Sequence, residues 1–202
     1  MLANDVANQS LTDAIALFQR VRDGGLDSTR TAAATIVESL RQGGKLLVFG
    51  NGGSAADAQH TATELVGRFL RERAGLAAIA LTADSCLVSS VANDYGYEQV
   101  FSRQVEALGK PGDVALGITT SGTSRNVVAG LEAARARGLR TIALTGRDGG
   151  PAGRLADVHV NVPSEVTPRV QEVHMALLHV ICELVETAVI AEREPAAVER
   201  KR

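Results

Sequence analysis

His60 and Glu64 stand four residues apart, which on a helix places an imidazole above a carboxylate on one face. Side chains of these two types can share a metal ion, divide a proton transfer between them, or form no more than a solvated ion pair. A second set with the same chemistry lies in "RVQEVHMALLHVICELVE", where Gln171, Glu172, His174, His179 and Glu183 interrupt an apolar run. Helical spacing puts Glu172, His179 and Glu183 on one face. Gln171 and His179 are separated by about 12 Å along such a helix and by about 80° around it. They reach one metal ion only by straddling it, or with help from another subunit. Spacing allows a metal site and leaves its membership open.

Two loops offer a different chemistry. The first, "GNGGSAAD" after Phe49, sets Gly50, Gly52 and Ala55 at the G-x-G-x-x-A spacing of a dinucleotide-binding turn. Such a turn expects an acidic residue about 20 positions on. Asp84, the nearest comparable residue, lies about 30 past the loop. No Lys-Ser or Lys-Thr follows the glycines, which rules out a P-loop. The structural alternative is a plain strand-to-helix turn with Ser54 and Asp57 as a capping box. The second loop, "TTSGTSRN" after Ile118, has a hydroxyl at every position from Thr119 to Ser124 except Gly122. Backbone N–H groups at a helix start, ringed by hydroxyls, suit a phosphomonoester. A Ser/Thr-rich surface loop is the alternative here. With no lysine in the loop, dipoles and neutral donors would hold the phosphate, which suits a sugar phosphate that has to enter and leave.

The elements around these groups alternate. Short apolar runs at 45–49, 76–81, 114–118, 141–144 and 158–162 predict strands, with helices between them at 54–69, 99–108 and 124–137. Alternation of this kind predicts right-handed crossovers and a mostly parallel five-stranded sheet covered on both faces. Ligands of open parallel sheets sit beyond the carboxyl ends of the strands. The two loops should therefore face each other across one pocket. A long last helix is expected over 168–188, with Thr167 as its cap and Pro168 at its first position. Residues 1–44 read as an N-terminal helical pair within the same domain. The first helix opens with Ser10 and Asp13 as a capping pair and lines up Leu11, Ile15 and Phe18. The second lines up Ala32, Ile36, Val37 and Leu40 and stops at Gly43 and Gly44. The pair is extra to the sheet and should pack on a neighbouring element or subunit. The main domain spans 45–190, and 191–202 is a charged, solvated tail.

The 202 residues are 45% hydrophobic and 22% charged, enough apolar content for one soluble globular domain. A formal charge of −2 gives no electrostatic reason to expect nucleic acid or an anionic membrane as partner. There is no basic-then-apolar leader and no run of membrane-spanning length, so the expected location is the cytoplasm. Cys86 and Cys182, far apart in apolar stretches, read as buried thiols in a reducing compartment without metal-ligand spacing.

Taken together, "FGNGGSAADAQHTATELVGRF", "SSVANDYGYEQVFSRQV", "TTSGTSRNV", "ALTGRDGG" and "TPRVQEVHMALLHVICELVE" resemble the sedoheptulose 7-phosphate isomerases, or phosphoheptose isomerases, of the sugar isomerase (SIS) domain superfamily. The resemblance runs in order from about Lys45 to Glu186, and the N-terminal helices also fit. It implies a flavodoxin-like αβα sandwich and a homotetramer with active sites at subunit interfaces. It further implies one zinc ion per subunit, held by His60, Glu64, Gln171 and His179. Sugar-phosphate contacts fall on Asn51, Gly52, Gly53, Ser54, Asn93, Asp94, Thr119, Thr120, Ser121 and Ser124, with Glu64 and Gln171 also touching substrate. The implied chemistry is ketose–aldose isomerisation, with Glu64 as base and His179 as partnering acid/base, on the route to lipopolysaccharide or another heptose-containing glycan. Thr119 stands where the family often has serine, and Pro168 where some members carry an acid. Rival functions are a non-catalytic SIS protein that binds the replication initiator or senses a sugar phosphate, and an isomerase of a shorter sugar phosphate. Retention of all four zinc-site residues favours the enzyme.

Overall fold

The structure is a computed structural model that describes residues 3–191, so the expected tail beyond Ala191 lies outside the described residues. Its strands are β1 (Leu46–Gly50), β2 (Ala78–Ala80), β3 (Val114–Thr119), β4 (Arg140–Gly146) and β5 (Val158–Val162). Its helices are α1 (Ala3–Asp23), α2 (Asp27–Arg41), α3 (Gly53–Val66), α4 (Ser85–Tyr95), α5 (Ser102–Leu108), α6 (Arg125–Ala136), α7 (Gly150–Leu155) and α8 (Thr167–Ala191). The strands are all parallel, in the order β2-β1-β3-β4-β5. This is the flavodoxin-like order, and the expected αβα sandwich is the fold found.

Strands covered on both faces read as unbroken apolar runs, and every residue of β1 and β3 is buried. Their side chains alternate between two cores. Leu46, Val48, Leu116 and Ile118 meet Ile36 of α2, Leu65 of α3 and Val173 and Leu177 of α8. Leu47, Phe49 and Ala115 meet Val100, Val105 of α5 and Leu131 of α6. The chain therefore leaves β1 for one face and β3 for the other. That divergence opens a crevice between the two strand ends, where such sheets bind ligands. α3 and α8 pack on the same face, side by side.

Several expected elements differ. α1 begins at Ala3, so Ser10 and Asp13 lie inside the helix and do not cap it. Asp13 accepts from Gln9, and the carbonyl of Ser10 accepts from Arg169. α1 buries Leu17, while Leu11, Ile15 and Phe18 face outward, 66%, 59% and 39% exposed. The apolar stripe is real, but its partner is not this chain's core. β2 is shorter than its apolar run because it is an edge strand, held on one side only. α4 and α7 have no counterpart among the expected helices. Asp84 caps α4 by accepting from Leu87 N at 2.9 Å, which gives it a structural duty in place of a ribose contact. Cys86 is exposed, contrary to expectation, because it lies in the first turn of that largely exposed helix, whereas Cys182 is buried in the core. α8 is long and apolar enough to cross a membrane, which the sequence reading did not anticipate. Its apolarity has another cause: Val170, Val173, Leu177, Ile181 and Val185 form its buried face in the core.

Candidate active site

β1 and β3 end side by side, with Gly50 opposite Ile118, and the two loops start from there. The first turns at Gly52, whose φ of +57° is a conformation open to glycine and strained for other residues. α3 then begins at Gly53, and no side chain caps it. The expected capping box of Ser54 and Asp57 is absent because both residues already lie inside the helix and face inward. Asp57 Oδ2 is buried without a hydrogen-bond partner. Burial pushes its carboxyl up to about 6, against a smaller opposing pull from His60. Across the crevice, Asn51 and Asn126 exchange amide hydrogen bonds in both directions, each 2.8 Å. Tyr97 Oη also donates to Asn51 Oδ1 at 3.1 Å. The two loops do face each other, and Asn126 is the residue that ties them.

The second loop gathers its hydroxyls. Thr119 Oγ1 lies 3.0 Å from Ser124 Oγ and 3.4 Å from Ser121 Oγ. Ser121 Oγ accepts from both the N–H and the hydroxyl of Thr123. α6 follows with no side-chain cap, so its first N–H groups remain for a ligand. Arg125, in the second loop and at the first position of α6, is exposed and bonded to Glu98 at 2.9 Å. The start of α7 braces the second loop: Ala152 N donates to Gly122 O at 3.0 Å. Gly122 packs on Gly149 so closely that a methyl group there would sit 2.2 Å from the Gly149 carbonyl.

The polar residues of α3 and α8 form two groups. At the start of α3, Gln171 lies over the first loop, and a methyl group on Gly53 would sit 2.2 Å from its amide nitrogen. Farther along, His60 Nε2 is 3.0 Å from Glu64 Oε1 and 3.2 Å from His179 Nε2. The ring of Phe69 packs beside His179, centroids 5.4 Å apart. Gln171 is thus two turns of α8 away from His179, as its spacing demands. Glu172 is engaged with Arg169 at 2.6 Å, and Glu183 is exposed. Neither joins His179, so the helical-face grouping is not the one assembled. His174 is fully buried, bonded through Nε2 to Thr145 O at 2.9 Å, and burial takes it down to about 4, which leaves it structural. Asn93 and Asp94 are exposed at the end of α4 and bond each other.

The His60 group fits a zinc ion in donor type and in spacing. Tetrahedral zinc with nitrogen ligands at 2.0–2.1 Å holds neighbouring donor atoms about 3.3 Å apart. The two separations at His60 Nε2 are close to that edge. Among the described residues, however, no three His, Cys, Asp or Glu side chains already enclose one point, so a cation would have to draw Glu64 and His179 together.

Asn126, Tyr97 and Phe69 are absent from the sequence-derived site. Asn126 was within reach of sequence reasoning, since it closes the quoted "TTSGTSRN" and an amide two residues into a helix seldom has a packing role. Tyr97 and Phe69 give no local signal; only the fold places them.

The SIS domain family matches residues 11–146. The phosphoheptose isomerase of Geotalea daltonii is 55% identical over 158 residues, covering 78% of this chain and 82% of that protein. That of Pelobacter propionicus is 50% identical over 190 residues, covering 94% of this chain and all of its own. In three dimensions the chain is similar to a phosphoheptose isomerase from Francisella tularensis, with a TM-score of 0.90 and 36% identity, over 93% of this chain and all of that one. The chain belongs to the phosphoheptose isomerase family of SIS-domain enzymes.

Proposed function

We infer that this enzyme interconverts D-sedoheptulose 7-phosphate and D-glycero-D-manno-heptose 7-phosphate through an enediol, the first step toward activated heptose for surface polysaccharide such as lipopolysaccharide. One observation carries the reading. The glycine turn that faces the hydroxyl loop and a carboxylate–imidazole group lie along the same helix, α3, with Gly53 at one and His60 at the other. Seven residues of helix separate them by about 10 Å. That is more than a triose phosphate spans and within reach of an extended heptose phosphate.

In the reaction a proton leaves C1 and arrives at C2, while the C2 oxygen gains a proton and the C1 hydroxyl loses one. Glu64 is assigned the carbon-bound proton and His179 the oxygens. General acid–base groups of this kind contribute about 10²- to 10⁴-fold each. Glu64 presents Oε1 to His60, which leaves its second oxygen as the basic atom. Thr119, Thr120, Ser121, Ser124, Ser54 and the N–H groups at Gly52 and Gly53 are assigned to the phosphate. Asn51, Gln171, Asn93 and Asp94 are assigned to the sugar hydroxyls.

His60, Glu64 and His179 would hold one zinc ion per subunit. The expected fourth donor, the Gln171 amide, lies two turns of α8 from His179 and beside Gly53, so it would have to come from a neighbouring subunit. Bound there, zinc would supply Lewis-acid polarisation of the substrate oxygens. A homotetramer is the proposed assembly, supported by the outward apolar stripe of Leu11, Ile15 and Phe18. The cytoplasm is the proposed location, supported by two free thiols, one of them exposed. The test is direct: purified protein given sedoheptulose 7-phosphate should yield the aldose.

A further inference from the structure

Arg73 Nε lies 3.1 Å from Glu186 Oε1, and both side chains are 2% exposed. Glu186 is on α8, two helical turns beyond His179. The contact with Arg73 is an ion pair without hydrogen-bond geometry at Nε. The hydrogen bonds of the carboxylate come from the backbone N–H groups of Phe69, Leu70 and Arg71 at 3.0, 2.9 and 2.9 Å. Burial alone would raise the pKa of Glu186; those three N–H groups and Arg73 outweigh it and hold the carboxyl below its usual value. The guanidinium in turn donates to the carbonyls of Glu64 and Leu65, each at 2.8 Å. These are last-turn carbonyls of α3, which have no partner within the helix.

Burying two charges costs about as much as their attraction returns, so stability alone is a weak reason for such a pair. The hydrogen bonds that each partner makes to backbone are directional, and their destinations are specific. Arg73 grips the backbone of Glu64 itself. Glu186 grips the strap whose Phe69 ring rests on His179. We propose that the Arg73–Glu186 pair is a positioning device, which sets the carboxylate of Glu64 and the imidazole of His179 in register by clamping the end of α3 to α8. The proposal rests on the roles given above to Glu64 and His179. The phosphate cradle lies at the opposite end of α3 and is tied to α6, so the clamp should act on turnover and leave phosphate binding alone.

The test uses three variants of the whole protein. Glu186→Gln keeps an acceptor oxygen but removes the charge. Arg73→Lys keeps the charge but loses the fork on Glu64 and Leu65. Phe69→Leu, at a partly buried position, leaves the ion pair intact and removes the ring that rests on His179. In each, kcat should fall by about 10- to 100-fold with KM within about 2-fold of wild type, as expected when reacting groups shift by an ångström or less. Selectively labelled Phe and His supply a readout independent of activity. The Phe69–His179 cross-peak should weaken in Glu186→Gln and Arg73→Lys, while that of the stacked pair Phe49–Phe101, 5.1 Å apart in the core, persists as proof of folding. Unchanged kcat in the folded variants, or a KM that rises with the fall in kcat, overturns the proposal. If the wild type fails to turn over the sugar phosphate, the functional assignment falls, and the cross-peaks still decide the clamp. Their persistence in Glu186→Gln would sink it. Should Glu186→Gln not fold, Arg73→Lys and Phe69→Leu carry the same decision.

Discussion

His60 Nε2 and His179 Nε2 lie 3.2 Å apart, brought from helices 119 residues apart in sequence. Two neutral imidazoles can face each other this way with one Nε2 as donor and the other as acceptor. A cation between them needs both lone pairs, which fixes both rings with the proton on Nδ1. The pair is therefore either a hydrogen bond or a divided metal site. In His60→Ala and His179→Ala, zinc per subunit should fall together, and zinc should restore activity to chelator-treated wild type. Glu172→Gln and Glu183→Gln, which lie away from His60, should keep their zinc. Metal analysis showing the reverse pattern would return the site to the helical face of α8.

Glu64→Gln preserves shape and most packing but removes the basic oxygen. Turnover should drop by at least about 10²-fold, while sugar-phosphate binding survives, because the cradle lies at the other end of α3. Steady-state kinetics alongside calorimetry separate the two effects. Near-normal kcat would remove Glu64 from the proton-transfer step.

Ser121→Ala with Ser124→Ala takes two hydroxyls out of the cluster around Thr119. Each donor is worth about 1.5–3 kcal/mol if it bonds a charged phosphate. Calorimetric affinity for sedoheptulose 7-phosphate should fall accordingly, with thermal stability close to wild type since both side chains are partly exposed. Unaltered affinity would mean that the phosphate sits elsewhere.

His174 supplies a pH test of the core. Burial keeps it neutral down to about 4, whereas an unfolded chain protonates it near 6.5. Between those values the unfolded state binds more protons, so this contribution to stability is complete above pH 6.5 and is lost as pH falls toward 4. The difference is on the order of 3 kcal/mol. Asp57, raised from 3.8 to about 6, acts in the opposite sense over part of the same range, so the comparison has to be made against a variant. His174→Gln keeps a donor for the Thr145 carbonyl and cannot titrate. Its melting temperature should decline less steeply than that of wild type between pH 6.5 and 4. Parallel profiles would mean that His174 is not held neutral.

The sheet was legible because parallel strands buried on both faces announce themselves as apolar runs, and the two loops because glycine and hydroxyl residues mark the starts of α3 and α6. The error at Ser54 and Asp57 came from reading residues three apart as a cap, when Gly52 moves the helix start and turns both side chains inward. Leu11, Ile15 and Phe18 show the expected period on an outward face, since periodicity gives a face without saying what covers it. The grouping of His60 with His179, and of Arg73 with Glu186, depends on α3 lying beside α8. Nothing local encodes that neighbourhood; it follows from the chain leaving β1 and β5 for the same face of the sheet.

The most direct measurement is to incubate the purified, zinc-supplied wild-type protein with sedoheptulose 7-phosphate and follow the C1 and C2 resonances by NMR. Aldose signals of D-glycero-D-manno-heptose 7-phosphate should grow to a fixed ratio with the ketose, and in D₂O deuterium should enter at C2. Pentose and hexose phosphates offered at the same concentration should turn over more slowly. Absence of heptose 7-phosphate, or preferential turnover of a shorter sugar phosphate, would contradict the proposed function.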